Sequence, residues 1–456
     1  MAKEETYQVK KLNPRKEYLV RVPGSKSITN RAFLLAALSG KTCVLSGALF
    51  SDDTRGFLDC LIQLGFRVEI EEEKQRVTIQ GMNGRIPNPE ASIHVRSAGT
   101  AARFLTVALA FAGGSYHMDA SEQMRKRPME PILKILEGLN VKFTFNNEKY
   151  HFPFDMMSER EKDSKIIHPE IKNEITIDTN LSSQFASALL MAACLLPNGL
   201  RIRLTGTRTA GSYIKMTLAM MKQFGIRVKQ SESCYEISHQ EDWGLTNYEI
   251  EPDVSAACYF YAMAPLLKTS VIVKGAVKDS LQGDIQFLNV LEQMGCRRED
   301  TPDGIRMSMA AGSVMQGVDI SMKDFSDQTM TLAAIAPFAA GPTRIHNIGH
   351  IRYQESDRLH AILTELQRMG VHCEEVPEID GIEIWSLECE TSGADKTVTQ
   401  QEKSRIEIET YEDHRMAMAF TLPGLKTGNI TIKNPGCCRK TFENYFTVID
   451  SLYTSL

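Results

Sequence analysis

The chain has no C-x-x-C pair, and no histidine stands at metal spacing from any of its ten cysteines, so no common zinc or dithiol motif is written into it. The adjacent Cys437 and Cys438 do not make an easy bridge, and the cysteines are expected as free core thiols in a reducing compartment. A basic excess is also missing. The formal charge is −5, which gives no support to nucleic acid as the main partner and leaves local clusters of cations for a small anion. Long apolar runs are lacking too: those at 186–196 and 331–340 fall well short of the ~18 residues a membrane span needs. The opening residues MAKEETYQVKK show no apolar core and carry early glutamates, so neither a secretory signal nor a transit peptide is expected and the cytoplasm is the predicted location.

What is present is a repeat. At 456 residues the chain is too long for one core and implies two or three domains. Six segments share a plan of polar cluster, small-residue helix, Gly-bounded strand, second helix and strand. They open at SKSITNRAFLLAALSG from Ser25, SAGTAARFLTVALAFAGG from Ser97, SSQFASALLMAACLLPNG from Ser182, DVSAACYFYAMAPLL from Asp253, DQTMTLAAIAPFAAG from Asp327 and DHRMAMAFTLPGLKTG from Asp413. The closing helices, such as FLDCLIQLGFRV and PILKILEGLNVKF, space their apolar residues at three and four and end near a glycine, which predicts amphipathic helices with glycine C-caps. The opening helices carry Ala and Ser on every face, as suits a helix enclosed by others.

A period of roughly 70 to 90 residues is far longer than a solenoid unit, so the copies are read as βαβ-like modules in globular α/β domains. One domain is expected at 22–250 with copies one to three, and the other at 1–21 plus 251–456 with copies four to six. Parallel buried helices around a pseudo-threefold axis would point several N-termini one way and create a shared positive field, with the site in the cleft between domains.

That arrangement explains an oddity at residues 22–38. Lys26 and Arg31 add positive charge where a helix start already exposes unpaired N–H groups, which reads either as a site for a bound anion or as a Ser25 or Ser27 N-cap with the cations snorkelling into water. At the corresponding places of other copies stand Gly99 and Arg103, then Ser182, Ser183 and Gln184, then Asp253, Asp327, and Asp413, His414 and Arg415. Arg127, Gln354, Glu355, Arg358 and Lys440 lie between copies. Taken alone, Asp253, Asp327 and Asp357 are ordinary helix N-caps, and Glu355 to Arg358 an ordinary surface charge cluster.

PGSKSITNRA, AGTAARFL, RKRPMEPIL, SSQF, QESDRL, EDHRMAM and PGCCRKTF, in this order from residue 23 to 442, resemble the enolpyruvyltransferase family. Ser27, where the sister branch acting on UDP-N-acetylglucosamine has Asn, and the lack of cysteine between Cys60 and Cys194 make the shikimate branch the better likeness. The resemblance implies an inside-out α/β barrel in each domain and transfer of the enolpyruvyl group of phosphoenolpyruvate to the 5-hydroxyl of shikimate 3-phosphate. Phosphate is released through a tetrahedral intermediate. It implies that Lys26, Ser27, Arg31, Ser182, Ser183, Gln184, Asp327 and Gln354 hold shikimate 3-phosphate. Gly99, Arg127, Arg358, Arg415 and Lys440 would hold phosphoenolpyruvate, with Lys26 and Gln184 near both. Asp327 resembles the family's proton acceptor; Glu355 and Lys26 are the candidate donors. No cofactor or metal is implied, and a monomer binding two small anions is expected.

The chain departs from the family at Ser97 for Asn, Phe104 for Pro, His350 for Asn and Gln354 for Lys. Ala210 stands where a phosphate-binding serine is expected, with Ser212 as a shifted substitute. Two other functions compete. Ser39-Gly-Lys-Thr42 hints at a P-loop, but that motif needs glycine at position 35, which is Leu35. A non-catalytic sensor of shikimate 3-phosphate or a related anion would use the same cations, although it would need no acid–base pair.

Overall fold

Every repeat folds as edge strand, opening helix, central strand and closing helix, and five of the six add a hairpin. In the computed structural model, which describes residues 5–159, 174–180, 182–206, 211–387 and 405–454, the second repeat shows the plan in full. Strand Glu90–His94 leads into the helix Gly99–Ala112 and pairs in parallel with Gly114–Asp119, a βαβ crossover. The helix Glu130–Gly138 follows. The hairpin Lys142–Phe145 and Phe154–Ser158 then adds two antiparallel strands, Tyr116 standing opposite Met156. The mixed sheet recurs with the parallel strand at one edge, so the βαβ pattern holds only for the first half of each module.

Three repeats borrow strands from far along the chain. The first sheet takes its parallel edge from Asn247–Glu249, which pairs with Thr42–Ser46. The sixth takes Thr6–Gln8, antiparallel to Ile430–Lys433 with Tyr7 opposite Ile432, in place of a hairpin. The fourth is edged by Glu17–Val20, parallel to Ser270–Lys274.

These pairings divide the chain into two compact units, Gly24–Glu251 and Met1–Pro23 with Pro252–Leu456, each holding three sheets and three opening helices. Within the first unit, Gly99–Ala112 is buried along its whole length and packs against Lys26–Leu38 and Ser183–Ala192. Small residues on all faces allow this close approach. Within the second, His414–Thr427 packs against Thr329–Ile335 and Val254–Tyr261.

The closing helices bury one stripe only. Glu130–Gly138 buries Ile132, Leu133 and Leu136 and turns the rest outward. Its end differs from expectation, because Gly138 lies inside the helix and Asn140 takes the left-handed position at φ 65°. Asn tolerates that conformation through its short polar side chain.

Nine described cysteines are free, and Cys389 lies outside the described residues. Burial pushes the Cys43 thiol up to about 11 and Cys194 up to about 12, which keeps both as inert core groups. Among the described residues no helix is long and apolar enough to cross a membrane.

Candidate active site

In each unit the N-termini of the three buried helices are tied together by side chains, and the polar clusters that opened the repeats meet there. In Gly24–Glu251 the first tie is Asn30 Nδ2 to Thr100 Oγ1 at 2.6 Å, joining the first helix to the second beside Gly99. Arg103 Nη1 to Gln184 Oε1 at 3.1 Å joins the second to the third. Arg31 Nη2 to Ser187 Oγ at 3.2 Å joins the first to the third. Gly24 permits the first turn, because a Cβ there would lie 1.9 Å from the Gly47 carbonyl oxygen.

The charges at this convergence are unbalanced. Lys26 pairs with Asp53 at 3.2 Å. Arg31 is 1% exposed and donates to Thr217 Oγ1, the Ser27 carbonyl and Ser187, with Phe104 and Tyr213 flanking its guanidinium. Burial lowers its pKa to about 10. Arg103 is 2% exposed, and burial, then the charge of Arg127, push its pKa well down. Among the described residues no carboxylate pairs with Arg31, Arg103 or Arg127.

A buried ion without a counter-ion carries a desolvation penalty of several kcal/mol, so this surface is primed for an anion. Gly99 marks the spot. A Cβ built on it would meet Arg103 Nη1 at 2.6 Å and Arg127 Nη1 at 2.8 Å, so two guanidiniums crowd a helix N-terminus that only glycine leaves open. Ser182 caps the third helix by accepting from the Gln184 amide at 3.2 Å; Ser183 and Ser27 are half-buried beside their helix starts.

The second unit gathers Asp327, Gln354, Glu355, Arg358, Arg415 and Lys440 into one network. Asp327 lies in the short turn Ser326–Gln328, one residue before the N-cap position Gln328 of the helix Thr329–Ile335. One of its oxygens accepts from Arg358 Nη1 and the other from Arg415 Nη2, both at 3.0 Å. Arg358 also donates to Asp413, from Nε at 2.7 Å and Nη2 at 3.4 Å, and to Gln354 Oε1. Burial opposes the charge on Arg358, and the carboxylates of Asp413 and Asp327 outweigh it, so its pKa is raised. Burial likewise opposes the charge on Asp413, and Arg358 overrides it, so that pKa is lowered.

Glu355 Oε2 lies 3.2 Å from Lys440 Nζ and 3.1 Å from His414 Nδ1. Glu355, Asp413 and His414 bring ligand atoms within 4.8 Å of one another, a distance that suits a metal. Lys440 and Arg358, however, already neutralise the two carboxylates.

Other positions resolve plainly. Asp253 and Asp357 are N-caps, accepting from the Ala256 and His360 amides at 3.0 Å. Ser97 bonds Ser121 Oγ at 2.7 Å, and His350 Nε2 bonds Ser326 Oγ at 2.8 Å, next to Asp327. Gln354 serves Arg358 as an acceptor, which the family's lysine would not. Ala210 lies outside the described residues; Ser212 is the first residue of the helix Ser212–Gln223. The two proton-donor candidates, Lys26 and Glu355, belong to different units.

Sequence reasoning missed Asp53 as the partner of Lys26 and Asp413 as the partner of Arg358, and it gave Arg103 a place in the second polar cluster but no role. Arg103 alone left a signal, standing one helical turn after Gly99, where its side chain reaches back to the helix start.

The family model described as EPSP synthase (3-phosphoshikimate 1-carboxyvinyltransferase) matches residues 14–449. A 3-phosphoshikimate 1-carboxyvinyltransferase of Nostoc punctiforme is 39% identical over 444 residues, covering 97% of this chain and 98% of its own. One of Pseudoalteromonas translucida is 36% identical over 436 residues, 95% of this chain and 96% of its own. Among solved structures, an EPSP synthase from Acinetobacter baumannii superposes with a TM-score of 0.76 at 22% identity over 98% of both chains, a likeness of fold.

Proposed function

We infer the activity from one premise: this chain belongs to the EPSP synthase (3-phosphoshikimate 1-carboxyvinyltransferase) family. It transfers the enolpyruvyl group of phosphoenolpyruvate to the 5-hydroxyl of shikimate 3-phosphate and releases phosphate. The observation that carries this proposal is the set of guanidiniums at Arg31, Arg103 and Arg127, gathered at helix N-termini without a carboxylate among the described residues. Two substrates that together bring two phosphates and two carboxylates supply the missing negative charge, and arginine forks match both groups.

In this proposal Lys26, Ser27, Arg31, Ser182, Ser183, Gln184 and Gln354 receive shikimate 3-phosphate. Gly99, Arg127, Arg358, Arg415 and Lys440 receive phosphoenolpyruvate. Asp327, held on both oxygens by arginines, takes the proton of the 5-hydroxyl as that oxygen attacks C2 of phosphoenolpyruvate. Glu355 or Lys26 protonates the methylene carbon, and the tetrahedral adduct then loses a proton from its methyl group and expels phosphate. A positioned acid or base contributes typically ~10²–10⁴-fold. Holding the two reactants in place contributes ~7–11 kcal/mol, the larger share. The buried free thiols support a reducing, cytoplasmic setting, and we take the working form to be a monomer.

Phosphate release from phosphoenolpyruvate in the presence of shikimate 3-phosphate tests the proposal directly. Turnover that disappears on omission of either substrate is expected. Binding of both without release would mark a sensor instead.

A further inference from the structure

Arg103 stands outside the set of contacts that the family resemblance implies, yet it is the point where two subsites of the first unit are joined. Its Nη1 donates to the Gly99 carbonyl and to Gln184 Oε1, each at 3.1 Å, and its Nη2 to the Pro128 carbonyl at 3.3 Å. Pro128 follows Arg127 directly, so that third bond fixes the turn from which Arg127 projects. The ring of Phe185 lies 5.2 Å from the guanidinium carbon, and Nε has no hydrogen-bond partner among the described residues.

For stability alone this is a poor choice of residue. A buried guanidinium with an unsatisfied N–H, no counter-ion among the described residues and a second guanidinium nearby is penalised by desolvation and by repulsion. A methionine of similar length would pack on Phe185 without either penalty. Residues kept against stability belong to function.

We propose that Arg103 is a positioning residue. It holds the Gly99 carbonyl, the Arg127 turn and the Gln184 amide in one rigid frame, so that the groups receiving phosphoenolpyruvate and those receiving shikimate 3-phosphate are set relative to each other. This rests on the assignment of Gly99 and Arg127 to phosphoenolpyruvate given above.

The test compares Arg103→Met, Arg103→Lys and Arg127→Gln in the full chain by steady-state kinetics and thermal unfolding. Arg103→Met is expected to lower kcat/KM for phosphoenolpyruvate by about 10- to 100-fold, mostly through KM, and to raise KM for shikimate 3-phosphate by a smaller factor. Its Tm is expected to change little, because relief of the desolvation and repulsion offsets the loss of the donor to the Gly99, Pro128 and Gln184 oxygens. Arg103→Lys keeps the charge without the fork, and partial recovery of KM is expected. Unchanged KM values in Arg103→Met overturn the proposal, and so does a fall in Tm without a change in KM. If Arg103→Met does not fold, Arg103→Lys decides: wild-type KM values there also overturn it. Arg127→Gln separates the two levels. Unchanged KM for phosphoenolpyruvate in that variant sinks the site assignment itself, whereas a raised KM there with a normal Arg103→Met sinks only the positioning role.

Discussion

Asp327 is gripped by Arg358: Nη1 of the arginine lies 3.0 Å from one carboxylate oxygen, while the arginine's other edge is fixed on buried Asp413. The proposed base is therefore oriented by an arginine that is itself anchored on a second carboxylate. Asp327→Asn keeps an acceptor for one arginine and removes the basic oxygen. Phosphate release is expected to fall by ~10²–10⁴-fold in kcat. A comparable kcat in the variant would move the base elsewhere.

At Gly99 the prediction is steric. Alanine places a methyl 2.6 Å from Arg103 Nη1 and 2.8 Å from Arg127 Nη1, so at least one guanidinium must retreat. KM for phosphoenolpyruvate is expected to rise by about tenfold or more, equivalent to ~1.4 kcal/mol, with a smaller change for shikimate 3-phosphate. Equal effects on both substrates would show that the methyl disturbs the whole unit instead.

Asp284 allows a pH experiment. It is fully buried, and desolvation, then the charge of Asp327, raise its pKa to about 6, while Gln328 Nε2 donates to it at 2.7 Å. A carboxyl raised in the folded state binds its proton there more tightly than in the unfolded chain, so stability falls as pH rises from about 4 through 6, and the full penalty applies above that. Asp284→Asn removes the charge. It is expected to stabilise the protein at pH 8 by ~2 kcal/mol and by less at pH 5. Urea unfolding at the two pH values measures the difference; an effect of the same size at both would mean that Asp284 does not titrate in this range.

Asp253 serves as the contrast, since its carboxylate accepts the Ala256 amide and caps the start of a buried helix. Asp253→Ala is expected to lower stability by about 1 kcal/mol, the usual value of an N-cap. Both KM values should stay as they are. A kinetic defect at constant stability would place Asp253 in the chemistry.

The six modules were legible because each begins with a polar cluster and continues in a helix rich in Ala and other small residues, a pattern that suits a buried helix. The pairing of Thr6–Gln8 with Ile430–Lys433 was not legible, because strand pairing across more than 400 positions leaves no local periodicity. Asn140 escaped because the nearby Gly138 looked like the natural helix stop. Within the site, the family motifs identified Asp327, Arg358 and Lys440 as residue types, but nothing in them says which carboxylate neutralises which cation. In sequence Arg103 is part of the second polar cluster, with no contact assigned to it. Its meaning lies in burial and in a missing partner, and both are properties of packing.

The borrowed strands also dictate an order of assembly. Residues 24 to 251 hold every strand of their three sheets and have all they need once Asn247–Glu249 has been synthesised. The other unit must keep Thr6–Gln8 waiting until Ile430–Lys433 leaves the ribosome, with the largest loop in the chain still open. A truncation near the C-terminus should therefore spare the first unit and abolish the second, and a nascent chain should gain protease resistance in two separate steps.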